Sequence, residues 1–156
     1  MIRLSQLVGQ RVIAKGSGAQ LGSIRHVLLD PQRGSITFAH LVTAEGRQLI
    51  MAWSSVTEVG VDGVFVHGGE VARPAEGEQE KRLVGGELEL LGKSVLTDEG
   101  DSLGELEDIE LDELSGRVAR LHVPGQAVTV GRFVTLGPDA IIIAATRPSS
   151  TAASAR

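Results

Sequence analysis

The apolar residues of this chain fall in short runs, each closed by Gly, Pro, Asp or Ser, and nowhere sustain a helical period. The runs predict six strands in the first part: Arg11–Lys15, Leu21–Asp30, Ser35–Thr43, Gln48–Ala52, Thr57–Gly60 and Val64–Val66. Six more follow: Ser94–Thr97, Leu103–Asp112, Arg117–Val123, Ala127–Val130, Val134–Gly137 and Ala140–Ala145. The connectors carry turn chemistry. In Asp30-Pro31-Gln32-Arg33-Gly34 the proline fixes φ and the glycine releases the chain, and Asp112 to Gly116 fills the same slot. Pro124-Gly125 suits a type II turn and Asp62-Gly63 a two-residue hairpin loop. Trp53 to Val56 reads as one helical turn capped by Ser54. In the long second strand of each set, alternation slips at Arg25-His26 and at Glu107-Asp108, which predicts a bulge.

The two sets of strands are one pattern written twice. Leu7-Val8-Gly9, Leu21-Gly22-Ser23-Ile24, Asp30 and Gly34 return as Leu90-Leu91-Gly92, Leu103-Gly104-Glu105-Leu106, Asp112 and Gly116. Later, Trp53, Val56, Gly60, Asp62, Val64 and Val66 align with Val130, Phe133, Gly137, Asp139, Ile141 and Ile143. A repeat of this length means two modules of roughly 60–70 residues, small enough that each needs a partner surface. Residues 1–66 form the first and 90–146 the second. Between them, 67–89 reads as a polar, flexible linker with room for a short helical stretch, and 147–156 as a disordered tail. Short strands at this spacing favour closed barrels, because closure removes exposed edges. The expected fold class is therefore all-β, with two small six-stranded barrels in tandem. Buried positions should include Val12, Leu21, Ile24, Val27, Leu29, Leu41, Val59, Val95, Leu103, Leu106, Ile109, Leu111, Val118, Leu121 and Ile142. Gly9, Gly22, Asp30 and Gly34, with Gly92, Gly104, Asp112 and Gly116, are the turn and packing positions. Gly22 and Gly104 should keep space for a crossing strand.

The doubled motif resembles the PRC-barrel family: an apolar pair with Gly, Leu-Gly-x-(Ile/Leu), Leu-Asp-x-x-x-Gly, and a closing Val-x-x-(Val/Leu)-Gly-x-Asp-x-(Val/Ile). The resemblance spans residues 5–66 and 88–145. It implies a small β-barrel of the kind found in the cytoplasmic part of the photosynthetic reaction-centre H subunit and in the C-terminal part of the ribosome maturation protein RimM. The chain shows neither the membrane helix of the former nor the additional N-terminal domain of the latter, so it resembles a free-standing tandem member. The family brings no shared catalytic constellation to transfer.

Composition narrows the function classes. With no cysteine there is no disulfide, thiolate nucleophile or Cys-based metal site. The first residues lack an apolar stretch of signal-peptide type, and no apolar run is long enough to span a bilayer, so a cytoplasmic location without membrane contact is expected. The net charge of −5 is unevenly spread. Residues 1–66 carry six basic and four acidic groups, and residues 90–146 carry four basic and ten acidic. The halves should attract each other, within one chain or exchanged in a homodimer, and the acidic half disfavours nucleic acid.

Nine of the sixteen residues from Asp98 to Glu113 are acidic. Their order does not fit an EF-hand loop, and alternation puts many on the solvent face of a strand. Glu105, Glu107 and Glu110 are the candidate docking residues for a protein partner. As general acids or bases they lack an apolar pocket in the sequence. His40 and His122 occupy matching positions, where a metal or proton would need them to meet at the interface; inheritance by duplication explains the match without one. Ser54, Ser55 and Ser115 lack a nucleophile elbow, and Gly16-Ser17-Gly18 lacks the rest of a phosphate loop. The reading is a non-catalytic protein-binding or scaffolding protein with no cofactor, metal or enzymatic activity. The alternative is an RNA- or ribosome-assembly-associated factor by analogy with RimM, and a metal-binding regulator ranks below both.

Overall fold

A computed structural model describes residues 1–86, 88–130 and 132–144. Fifteen strands account for about half of these residues. In chain order they are β1 (Ile2–Arg3), β2 (Arg11–Ala14), β3 (Gln20–Asp30), β4 (Ser35–Val42), β5 (Gln48–Ala52), β6 (Val56–Val59), β7 (Val64–Val66) and β8 (Ala72–Arg73). The later set is β9 (Ser94–Thr97), β10 (Ser102–Glu105), β11 (Asp108–Leu111), β12 (Val118–Val123), β13 (Gln126–Thr129), β14 (Phe133–Leu136) and β15 (Ala140–Ile143). Of two short helices, α1 (Leu4–Leu7) follows β1 and α2 (Gly77–Val84) lies between β8 and β9. Among the described residues no helix is long and apolar enough to cross a membrane.

The fold is all-β, as the pattern predicts. In the first module the strands form one sheet ordered β6-β7-β2-β3-β4-β5-β8. The second has two sheets, β10-β9-β15-β14 and β1-β11-β12-β13. The registers coincide position by position. Val12 faces Val64 in a parallel pair, and Val95 faces Ile141 in the same way. The β6–β7 ladder slips between Val56 and Glu58, and the β14–β15 ladder between the aligned Phe133 and Thr135. Gly9 donates its N–H to the Ile24 carbonyl (2.7 Å), and Gly92 to that of Leu106 (2.8 Å).

The expected bulge lies between Ile24 and His26, where β3 slips against β4. In the second module the same place ends the strand, so the expected Leu103–Asp112 strand is two strands, β10 and β11, set in different sheets. A five-residue loop, Thr43 to Arg47, lets β4 run to Val42, which faces Ser23. The second module turns at once through Pro124-Gly125, with Gly125 at φ 83°, and Pro124 stands where Val42 would. A proline has no N–H to give a ladder, so the pairing stops there.

The halves share one core. A single apolar cluster includes Leu41, Met51, Trp53 and Val66 together with Val95, Leu106, Leu121 and Phe133. At its centre the turns after β3 and β11 meet. Ser35 bridges Arg117, Ile36 donates to the Gly116 carbonyl (2.9 Å), and Val118 donates to that of Gly34 (2.8 Å). Each of these residues is aligned with the one it faces or mirrors, so the two bonds are related by a local twofold axis.

Four sequence expectations are corrected. The 67–89 segment is not a loose tether over its described part: β8 pairs with β5, and α2 buries Leu83 against Leu28 and Ile50. Ile142 is half-buried while Ile141 and Ile143 face the core, a one-residue parity error that inverts a strand. Ser54 does not cap the Trp53–Ser55 turn; Ala52 holds that position without a side-chain bond. Leu21, Val59 and Leu103, expected in the core, are half-buried too, and apart from these and Ile142 the expected core positions are buried. The proposed tail lies outside the described residues, as does Ala145.

Candidate functional site

The acidic stretch begins in the hairpin between β9 and β10. Thr97 fixes it: its Oγ1 accepts the N–H of Glu99 (3.3 Å) and of Asp101 (3.1 Å). Gly100, at φ 93°, adopts the left-handed conformation that the tight return requires. β10 then runs along the margin of its sheet, paired among the described residues with β9 alone. Asp101, Glu105 and Glu107 are exposed. The Glu107 N–H donates to the His122 carbonyl (2.7 Å), which pins the backbone under its side chain.

Four other carboxylates, Asp108, Glu110, Asp112 and Glu113, are committed to the fold. Asp108 is buried, and it accepts bonds from the Ser5 hydroxyl and from the Ser5 N–H (3.1 Å). Burial pushes its pKa up, but the Ser5 hydroxyl and the backbone N–H groups of Ile109 and Ser5 outweigh burial, leaving it below the usual carboxylate range. Glu110 accepts from His122 Nε2 (2.7 Å) and from Arg120 (3.0 Å), and those two hydrogen bonds lower its pKa. Asp112 closes its own turn by accepting the N–H groups of Leu114 and Ser115, and Glu113 pairs with the amino terminus at 2.9 Å. Of the three candidate docking residues, then, Glu105 and Glu107 face solvent and Glu110 is held inward by two partners.

The matched histidines do not meet each other. His40 is buried, its Nδ1 lies 3.0 Å from His26 Nδ1, and its Nε2 bonds the Gln48 side chain. Burial lowers its pKa and keeps it neutral. His26 in turn reaches Glu89 (3.2 Å). Among the described residues no three His, Cys, Asp or Glu side chains are placed to hold a metal ion.

The turn and packing positions carry matched geometry. Gly34 (φ 65°) and Gly116 (φ 72°) donate to the Asp30 and Asp112 carbonyls at 2.7 and 2.9 Å. A Cβ on Gly22 would stand 3.0 Å from the Val42 carbonyl oxygen, and one on Gly104 would stand 2.9 Å from the Pro124 ring. Gly9 and Gly92 turn at φ 94° and 92°. This shared frame coincides with what comparison with known families shows: a family model described as PRC-barrel domain matches residues 89–147. Over that stretch the chain is similar to PRC-barrel domains. No curated protein matches the chain.

Pattern reading missed the partner that this stretch takes from the other end of the chain. β1 pairs with β11, Ile2 facing Leu111, and α1 buries Leu4 and Leu7 while Ser5 holds Asp108. Leu4 and Leu7 stand three residues apart, the spacing of one helical face, and that was the available signal. It was too short to outweigh strand propensity.

Proposed function

We propose that the chain is a non-catalytic docking scaffold of two PRC-barrel modules, residues 1–66 being a diverged copy of the matched domain, and that its contact surface is the margin of β10. The observation that carries this reading is the free strand edge bordered by the exposed carboxylates of Asp101, Glu105 and Glu107. An unpaired edge offers N–H and C=O groups to an added strand, and the carboxylates select a basic one. The family match supports a barrel without a shared catalytic constellation.

The test is an affinity capture with the full chain against its Glu105→Lys, Glu107→Lys double variant, both verified as folded by circular dichroism. Loss of a basic partner, with capture weakening in salt, supports docking through this edge. Unchanged capture by the double variant removes the edge from consideration. Glu110 is left intact because its reversal would break its bonds to His122 and Arg120 and confuse stability with binding.

A further inference from the structure

The local twofold axis through Ser35 and Arg117 relates two recesses, one on each side, and they differ in filling and lining. On the first module's side, Trp53 fills the recess. Its ring lies 2.9 Å from where a Gly116 Cβ would stand, and its N–H donates to the Glu113 carbonyl (3.2 Å). On the other side the aligned residue is Val130, and the nearest atom to a Cβ on Gly34 would be Phe133 Cδ2 at 3.8 Å. A cleft of about 440 Å³ remains there. It is lined by Pro31, Arg33, Arg117, Val130, Arg132 and Phe133, among others.

The polarity differs as well as the volume. Arg33, Arg117 and Arg132 each align with a serine of the other module: Ser115, Ser35 and Ser55. Pro31 aligns with Glu113, so the filled recess has a carboxylate where the open one has none. Arg33 stands 3.8 Å from Asp30, and among the described residues Arg117 and Arg132 have no ion-pair partner. Arg33 from the first module and Arg117 and Arg132 from the acidic second one thus line one cleft, and guanidinium groups are forked donors suited to a tetrahedral dianion. Val118, Val130 and the buried Phe133 supply an apolar wall for the group that carries it. The volume lies in the range of small-molecule sites.

We propose that this cleft binds a phosphate group borne on a small ester. The net acidity of residues 90–146 disfavours a polyanion such as RNA. The site is independent of the β10 margin, so either can fail alone.

Calorimetric titration of the full chain with inorganic phosphate, a nucleoside monophosphate and the corresponding nucleoside tests the proposal. The monophosphate should bind, the nucleoside should not, and inorganic phosphate should bind more weakly than the ester. Arg117→Gln or Arg132→Gln should each weaken binding by about tenfold or more. Val130→Trp, which copies the plug of the other module, should abolish binding without lowering the melting temperature. The proposal is overturned if no phosphate binds up to millimolar concentration, or if nucleoside and monophosphate bind alike. Arginine variants that stay folded and keep full affinity would equally overturn it. Phosphate binding as tightly as the ester would reduce the site to a simple anion site. Binding of an oligonucleotide alone, indifferent to Val130→Trp, would assign nucleic acid elsewhere on the surface.

Discussion

The two modules keep the same ladders but differ in how many sheets they form, and the difference traces to a few residues. In the first, β3 runs unbroken for 11 residues and belongs to one seven-stranded sheet. In the second, the equivalent path breaks after Glu105 and is divided between two sheets. Pro124 in place of Val42 withdraws a donor, the hairpin is shorter, and the amino-terminal strand β1 occupies the edge of β11. Strand pairing is thus set by local supply of donors and edges, while the aliphatic core holds the overall path constant. The same comparison separates the recesses at the twofold axis, where one large side chain decides between a filled and an open site.

The sharpest way to break the comparison is to remove that side chain. Trp53→Ala deletes a fully buried indole with its hydrogen bond and should cost about 3–5 kcal/mol in urea unfolding, whereas the aligned Val130→Ala should cost about 1 kcal/mol or less. Equal losses would mean that the two sides of the axis are packed alike.

A smaller effect separates the aligned glycines. Gly116→Ala forces a Cβ to 2.9 Å from Trp53 and 3.0 Å from Ile36 at a positive φ, and should destabilise by about 2–4 kcal/mol. Gly34→Ala carries the same backbone strain but has room, so about 1 kcal/mol is expected. Thermal melts of the two variants check the order, and a reversed order would contradict the asymmetry of the recesses.

The smallest contrast is in pH dependence. Burial lowers the His40 pKa in the folded chain, so the unfolded chain binds the proton more readily. The contribution is fully present above the unfolded value of about 6.5 and is lost as pH falls below it. His40→Gln should therefore flatten the loss of stability between about pH 7 and about pH 5. A denaturation series at several pH values would show this, and an unaltered slope would assign the acid sensitivity to other groups.

Much of the frame was legible because it is repeated. Asp30 to Gly34 and Asp112 to Gly116 announced their turns twice, and the bulge at Arg25 showed as a slip in alternation. The parity of Ile142 was misjudged in a run where every neighbour is apolar and alternation carries no information. Ser5 holding Asp108 could not be read from pattern, since 103 positions separate them and neither residue type demands the other. Of the acidic stretch, Glu105 and Glu107 were legible as outward carboxylates, while the inward turn of Glu110 depends on the placement of His122 and Arg120. The cleft was hidden in plain alignment, as Ser-to-Arg and Trp-to-Val differences between copies whose meeting point only the fold supplies.

The attachment of β1 and α1 to β11 reverses the order in which the chain is made. Residues 2–7 find their seat only after Asp108–Leu111 has left the ribosome, about a hundred positions later. Until then the faces of Leu4 and Leu7 stay uncovered, so this segment completes its folding later than strands made after it.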